Sequence, residues 1–174
     1  MKVPYSKIVL ITGATSGIGK ATSARFAEQG YNLILTGRRL SILEELKNKY
    51  TRKFKIKVKI LSFDVRDAAM TKKVINSLDS NWRKIDILLN NAGLAKGFDP
   101  IHKGKLTDWE TMIDTNVKGL LYMTRLISPG MAKRRSGHII NICSTAGHEV
   151  YPNGNVYCAT KYAVAALTKG MRLD

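Results

Sequence analysis

The chain has 174 residues, 44% hydrophobic and 24% charged, which fits one globular domain with a sizeable core. No apolar run approaches the roughly 18 residues of a membrane span, and the N-terminal MKVPYSK enters the apolar IVLI with no signal-peptide core. The net charge of +16 permits nucleic-acid binding, so its distribution along the chain matters.

Ile8 to Thr12, IVLIT, is a continuous apolar run of strand length, as a strand buried on both faces requires. It ends in Gly13-Ala14-Thr15-Ser16-Gly17-Ile18-Gly19, and Lys20 to Gln29 then reads as a helix stopped by Gly30. Strand, glycine-rich turn and helix together make a phosphate cradle. The glycines let the backbone approach, and the helix N-terminus presents free N–H groups to an anion. The spacing is G-x-x-x-G-x-G, not G-x-G-x-x-G, and a plain turn is the alternative.

Tyr31 to Thr36, YNLILT, is a second apolar strand. In dinucleotide folds an acidic residue about 20 positions past the glycine turn binds a ribose 2′-hydroxyl, whereas an arginine accepts a 2′-phosphate. Here the neighbourhood is Gly37-Arg38-Arg39, with no carboxylate before Glu44. A guanidinium holds a phosphate with two hydrogen bonds, so NADP is favoured over NAD. The alternative is that the arginines are simply solvated.

Leu40 to Tyr50 reads as a helix. In Lys47 to Lys59, KNKYTRKFKIKVK, the residues Lys53, Lys55, Lys57 and Lys59 alternate with Phe54, Ile56 and Val58. That is the period of a strand with lysine on one face, a common protection for a sheet edge. The excess charge is read as a solvated edge strand, Ile56 to Leu61, ahead of attraction for cofactor phosphates. Nucleic acid comes last, and no nucleic-acid or membrane partner is expected.

Asp64-Val65 precedes a polar helix, Asp67 to Leu78, and Ile85 to Leu89 is a further apolar strand ending in Asn90-Asn91-Ala92-Gly93. Thr107-Asp108-Trp109-Glu110 has the form of a capping box, and its helix is expected to stop near Ser128, before Pro129-Gly130. Asn116, a poor helix former, falls mid-length in it. The apolar run GHIINICS, Gly137 to Ser144, is the fifth strand, and a helix begins near Asn155. That helix carries Tyr157 and Lys161, four apart and so on one face. A phenol beside a fixed cation loses its proton more easily, and can then exchange it with an alcohol or carbonyl near neutral pH. One such Tyr-x-x-x-Lys pair is expected by chance among this many tyrosines and lysines.

Strands alternating with helices imply a parallel sheet covered on both faces, a Rossmann-like doubly wound α/β domain over 1–174. Ligands in such sheets lie at the carboxyl ends of the strands, where strand order reverses. The glycine turn, Asn90 to Gly93 and Ser144 all follow strands directly and belong at that edge. Cys143 and Cys158 flank this site and read as small core residues. With His102, His138 and His148 they show no disulfide-framework or metal-ligand spacing, so no metal is assigned and a reducing cytoplasm is the simplest location.

Thr12-Gly13-x-x-x-Gly17-Ile18-Gly19, Asp64, Asn90-Asn91-Ala92-Gly93, Asn116, Ser144 and Tyr157-x-x-x-Lys161 resemble, in order and spacing, the motifs of the short-chain dehydrogenase/reductase family. NNAGLAKG, Asp108 to Arg125 and GHIINICSTAG are more narrowly similar to NADP-dependent 3-hydroxy acid (serine) dehydrogenases. The resemblance implies Tyr157 as acid/base, Lys161 lowering its pKa and holding the nicotinamide ribose, and Ser144 bonding the substrate oxygen. It implies that Asn116 breaks its helix and holds a water linking Lys161 to solvent. Asp64 and Val65 would contact the adenine. Gly13, Thr15, Ser16, Gly17, Ile18, Gly19, Arg38, Arg39, Asn90, Ala92 and Gly93 would complete the cofactor site. It further implies a homo-oligomer, a dimer or tetramer, meeting through the Thr107 and Asn155 helices. Asp64, Asn90 and Ser144 have turn or capping roles as alternatives.

Family members continue beyond the position of Asp174 through two more strands, a segment over the substrate and a Pro-Gly turn on the nicotinamide. The expectation is therefore a C-terminally incomplete domain with an exposed edge at the Ser144 strand. Two functions follow: an NADP-dependent oxidoreductase of small hydroxy acids or related alcohols, or an inactive remnant that at most binds nucleotide.

Overall fold

In the computed structural model, which describes residues 7–174, the strands are β1 (Ile8–Ile11), β2 (Asn32–Gly37), β3 (Val58–Ser62), β4 (Ile85–Asn90) and β5 (His138–Asn141). The expectation of an N-terminus without a leader falls on residues 1–6, outside the described residues. The five strands form one sheet in the order β3-β2-β1-β4-β5, all pairs parallel. The helices are α1 (Gly17–Glu28), α2 (Leu40–Phe54), α3 (Ala68–Asn76), α4 (Ser80–Arg83), α5 (Leu106–Ile113), α6 (Leu120–Arg134) and α7 (Asn155–Gly170). A π turn (Asp114–Gly119) joins α5 to α6, and a 3₁₀ turn (Thr145–Gly147) precedes α7. Among the described residues, no helix is long and apolar enough to cross a membrane.

Both faces of the sheet are covered, as the continuous apolar runs require. Val9, Ile11, Leu33 and Leu35 pack on one face with Leu43, Leu46 and Tyr50 of α2. Leu10, Ile34 and Leu88 pack on the other with Ile75 of α3 and Met123, Ile127 and Met131 of α6. This is the doubly wound α/β fold. Strand order reverses at β1, whose neighbours are β2 and β4, so a crevice opens past the carboxyl ends of β1 and β4.

Four expectations are corrected. The α1 helix begins at Gly17 rather than Lys20, so the last glycines of the turn are its first residues. The α2 helix extends to Phe54, because burial of Leu43, Leu46 and Tyr50 at helical spacing outweighs the short lysine alternation. Lys53 and Phe54 are therefore helical, Lys55 closes the helix at φ 56°, and only Lys59 of the four lysines lies within β3. That strand does stand at the sheet edge. Thr107 does not cap the helix with Glu110: α5 starts at Leu106 after Lys105, which makes Thr107 its second residue.

Finally, α6 runs through Pro129 to Arg134. A proline forfeits one amide bond, but Pro129 is on the exposed side, where water can take the freed carbonyl. Ile127 and Met131 remain buried on either side of it and hold the helix to the sheet.

Candidate active site

The glycine turn is built for close approach. Gly13 (φ +66°) and Gly17 (φ +50°) take a backbone conformation that side chains disfavour. A Cβ on Gly13 would lie 3.0 Å from Ala92 Cα, and one on Gly19 would run into Asn91 Nδ2 and the Gly13 carbonyl. The Ser16 side chain makes no capping bond, so the first amides of α1 are left to a ligand or solvent. Ile18 is exposed beside them.

A clamp from β4 holds this turn. Asn91 Nδ2 donates to the carbonyls of Thr12 (2.8 Å) and Gly13 (3.2 Å). The amides of Asn91 and Ala92 donate to Thr12 Oγ1 at 3.0 and 2.9 Å. Sequence reasoning saw Thr12 and Asn91 only as parts of motifs. The signal was alternation: successive strand residues point to opposite faces, so if Asn90 faces one way, Asn91 faces the other.

At the ends of β2 and β3 the two arginines behave differently. Arg39 folds back onto the turn, donating to Thr15 Oγ1 from Nε (3.1 Å) and Nη2 (2.7 Å). Arg38 stays exposed, with Nη1 3.8 Å from Asp64 Oδ2. Arg66 grips Asp64 with its side chain and backbone amide. Burial pushes the Asp64 carboxyl up, but the Arg66 hydrogen bonds and the charges of Arg66 and Arg38 outweigh it and hold the group below its ordinary value.

The third cluster joins four elements around Lys161, which is 6% exposed. Its Nζ donates to the Ile142 carbonyl at 3.0 Å and stands 5.8 Å from the centre of the Tyr157 ring. Burial pushes the ammonium below its ordinary value, and Cys143 opposes that shift. A Cβ on Gly93 would sit 3.3 Å from Asn116 Oδ1 and 3.5 Å from Lys161 Nζ. The segment around Ser144 wraps the same lysine: Cys143 Sγ donates to the Lys161 carbonyl at 3.4 Å, and Gly147 packs on that carbonyl. Ser144 Oγ accepts the Ala146 amide at 3.2 Å.

Asn116 does interrupt its helix, at the π turn, a distortion that often accompanies a site. Its amide is fully used: Oδ1 accepts from Leu94 N, while Nδ2 donates to Leu94 O (2.9 Å) and Thr160 Oγ1 (3.0 Å). Two cofactor candidates turn away from the crevice. The Asn90 side chain donates to Thr124 Oγ1 and Asn141 Oδ1, both at 2.9 Å, on the α6 side of the sheet. The Val65 side chain is buried in the core, against Gly119. For both, only the backbone is left to meet a cofactor.

Three features thus meet along one edge of the sheet: a glycine cradle, paired arginines after β2, and a buried lysine beside a tyrosine. Residues 7–174 match the family described as short chain dehydrogenase. The chain belongs to the short-chain dehydrogenase family. Within that family it is 51% identical, over 167 residues, to the NADP-dependent 3-hydroxy acid dehydrogenase YdfG of Escherichia coli (strain K12). That match covers 96% of this chain and 66% of the relative, so the chain spans about two thirds of the relative's length. The crystal structure of serine dehydrogenase from Escherichia coli superposes with a TM-score of 0.91 at 51% identity, covering 96% of this short-chain dehydrogenase and 76% of that chain. A closed form of serine dehydrogenase in complex with NADP+ gives the same score and identity, with 96% and 66% covered.

Proposed function

We propose that this chain carries the cofactor cradle and proton-transfer residues of an NADP-dependent oxidoreductase acting on small hydroxy acids or related alcohols and carbonyls. The supporting observation is the placement of buried Lys161, with its Nζ 5.8 Å from the Tyr157 ring centre and bonded to Ile142 O, on the edge that also holds the glycine turn. The 51% identity to an NADP-dependent 3-hydroxy acid dehydrogenase supports the substrate class.

The residues fit the cofactor. The cradle that a Cβ at Gly13 or Gly19 would fill, with Thr15, Ser16, Gly17 and Ile18, suits a pyrophosphate on backbone amides. Arg38 and Arg39 suit the 2′-phosphate, and Asp64 with the Val65 backbone suits the adenine. The backbone of Asn90, Ala92 and Gly93 lines the middle, and Tyr157 and Lys161 hold the nicotinamide ribose. When bound, the nicotinamide supplies the hydride chemistry.

The chain's own residues handle the proton. Tyr157 takes the substrate hydroxyl proton in oxidation and returns one in reduction. Lys161 keeps a positive charge beside that phenol. An accepted bond from Ala146 leaves the Ser144 hydroxyl proton free to donate to the substrate oxygen, where negative charge develops. With the Asn116 amide fully engaged, a water relay to Lys161 falls to the backbone of the π turn. The exposed Ile113, Leu121 and Tyr162 on α5, α6 and α7 suit pairing with a second copy of the chain.

A second reading, nucleotide binding without turnover, is favoured by Ser144, whose hydroxyl oxygen serves as the cap of the 3₁₀ turn by accepting the Ala146 amide. Titration with NADP+ and NAD+, followed by turnover on a panel of 3-hydroxy acids, separates the two. The oxidoreductase reading expects tighter binding of NADP+ and its reduction by at least one panel member. Binding without any turnover supports the second reading, and binding of neither nucleotide removes both.

A further inference from the structure

Asp64 sets up an electrostatic conflict. Its carboxylate stands 3.8 Å from Arg38 Nη1, the exposed guanidinium that the NADP reading gives to the 2′-phosphate. A carboxylate that close competes with a phosphate for the guanidinium and repels the phosphate's charge. The two loops are tied at this spacing, with Phe63 N donating to Gly37 O at 3.1 Å and Ser62 Oγ to Arg38 O at 3.4 Å.

The same loop supplies the remedy. Arg66 Nη2 lies 2.7 Å from Asp64 Oδ2, and Arg66 Nε lies 3.1 and 3.0 Å from the two carboxylate oxygens. The Arg66 backbone amide adds a fourth bond, to Oδ1 at 3.0 Å. Arg38 makes no bond that short to Asp64, and its side chain is 65% exposed. Asp114 adds negative charge near Arg66, but it is itself paired with Lys118 Nζ at 2.8 Å. Burial pushes the Asp64 carboxyl up, but the Arg66 bonds and the charges of Arg66 and Arg38 hold it below its ordinary value, so it carries its charge at neutral pH.

We propose that Arg66 is a positioning residue for cofactor choice: by neutralising Asp64 through a two-point pair, it frees Arg38 for the 2′-phosphate and removes the repulsion that would turn this cleft toward NAD. The assignment rests on the NADP reading of the cleft. It extends that reading to a residue two positions past the adenine contact, which sequence reasoning had given no role.

The test is calorimetric binding of NADP+, NAD+, adenosine 2′-phosphate and adenosine 5′-phosphate to the unmodified protein and to variants, with circular dichroism to check folding. The unmodified protein should prefer the 2′-phosphate. If it does not, the NADP reading fails and the role of Arg66 fails with it. Arg66→Met should weaken NADP+ and adenosine 2′-phosphate roughly five- to tenfold, the scale of one uncompensated charge at about 4 Å screened as fully as in bulk water. NAD+ and adenosine 5′-phosphate should change by no more than about twofold. Arg66→Lys, which keeps the charge but loses the fork, should fall between. Arg66→Met with Asp64→Asn should recover most of the lost NADP+ affinity, because the unpaired charge is gone. Equal weakening of NADP+ and NAD+, or no recovery in the double variant, overturns the proposal. Should Arg66→Met fail to fold, Asp64→Asn alone decides: a maintained or raised preference for NADP+ supports the proposal, and a lowered one overturns it.

Discussion

The two sides of the sheet are held together by different means. Around β1 and β2 the work is done by apolar volume: all four residues of β1 and the first five of β2 are buried, on both faces. Around β5 and α7 the strand is exposed at His138 and half-buried from Ile139 to Asn141, and polar bonds make the joints. Asn90 links Thr124 to Asn141, which reaches Thr168; Lys161 holds Ile142; Asn116 holds Leu94 and Thr160. The β1–β2 side is thus a rigid scaffold that tolerates little change of volume. The β5–α7 side is an assembly of directional bonds, sensitive to the loss of a single polar group.

Substitutions can break this contrast directly. Leu10→Ala should cost about 2–5 kcal/mol in chemical denaturation, since it hollows a fully buried position. Ile139→Ala, half-buried on β5, should cost less than half as much in the same assay, and equal losses would erase the distinction. Asn116→Ala should cost about 1–3 kcal/mol, because the part-buried amide and carbonyl of Leu94 and the buried hydroxyl of Thr160 lose their partner. Turnover should fall further than stability does in that variant. Gly19→Ala should cost about 1–3 kcal/mol by driving a methyl into Asn91 and Gly13, and nucleotide titration should show weakened binding.

The smallest effect is in pH. Burial holds Lys161 below its ordinary 10.5, so the folded chain gives up this proton before the unfolded chain does. The cost of the buried ammonium is constant below the lowered value and fades as pH rises from there to 10.5. The stability of the unmodified protein relative to Lys161→Met should therefore rise across that window and stay level below it. A difference that is level throughout would contradict the burial account.

The same contrast explains what could be read from the sequence. Ile8 to Ile11 and Asn32 to Leu35 are legible because burial on both faces leaves an unbroken apolar run. The glycine turn is legible because positive φ and close contact leave few alternatives to glycine. Asn116 is legible as a misfit in its helix, and the misfit is the π turn. What stayed hidden depends on partners far along the chain. The continuation of α6 through Pro129 follows from Ile127 and Met131 packing on the sheet, which no local propensity records. The clamp between Asn91 and Thr12 spans 79 residues, and the buried setting of Asn90 requires Thr124 and Asn141 to arrive from α6 and β5. Lysines 53 to 59 misled because their alternation overlaps the last turn of a helix held by Leu46 and Tyr50.

The most direct measurement compares Tyr157→Phe with the unmodified protein, following NADP+ affinity and 3-hydroxy acid oxidation side by side. If Tyr157 handles the substrate proton while Lys161 and the glycine turn hold the nucleotide, the variant should bind NADP+ nearly as well and turn over nothing measurable. Undiminished oxidation by the phenylalanine variant would contradict that assignment.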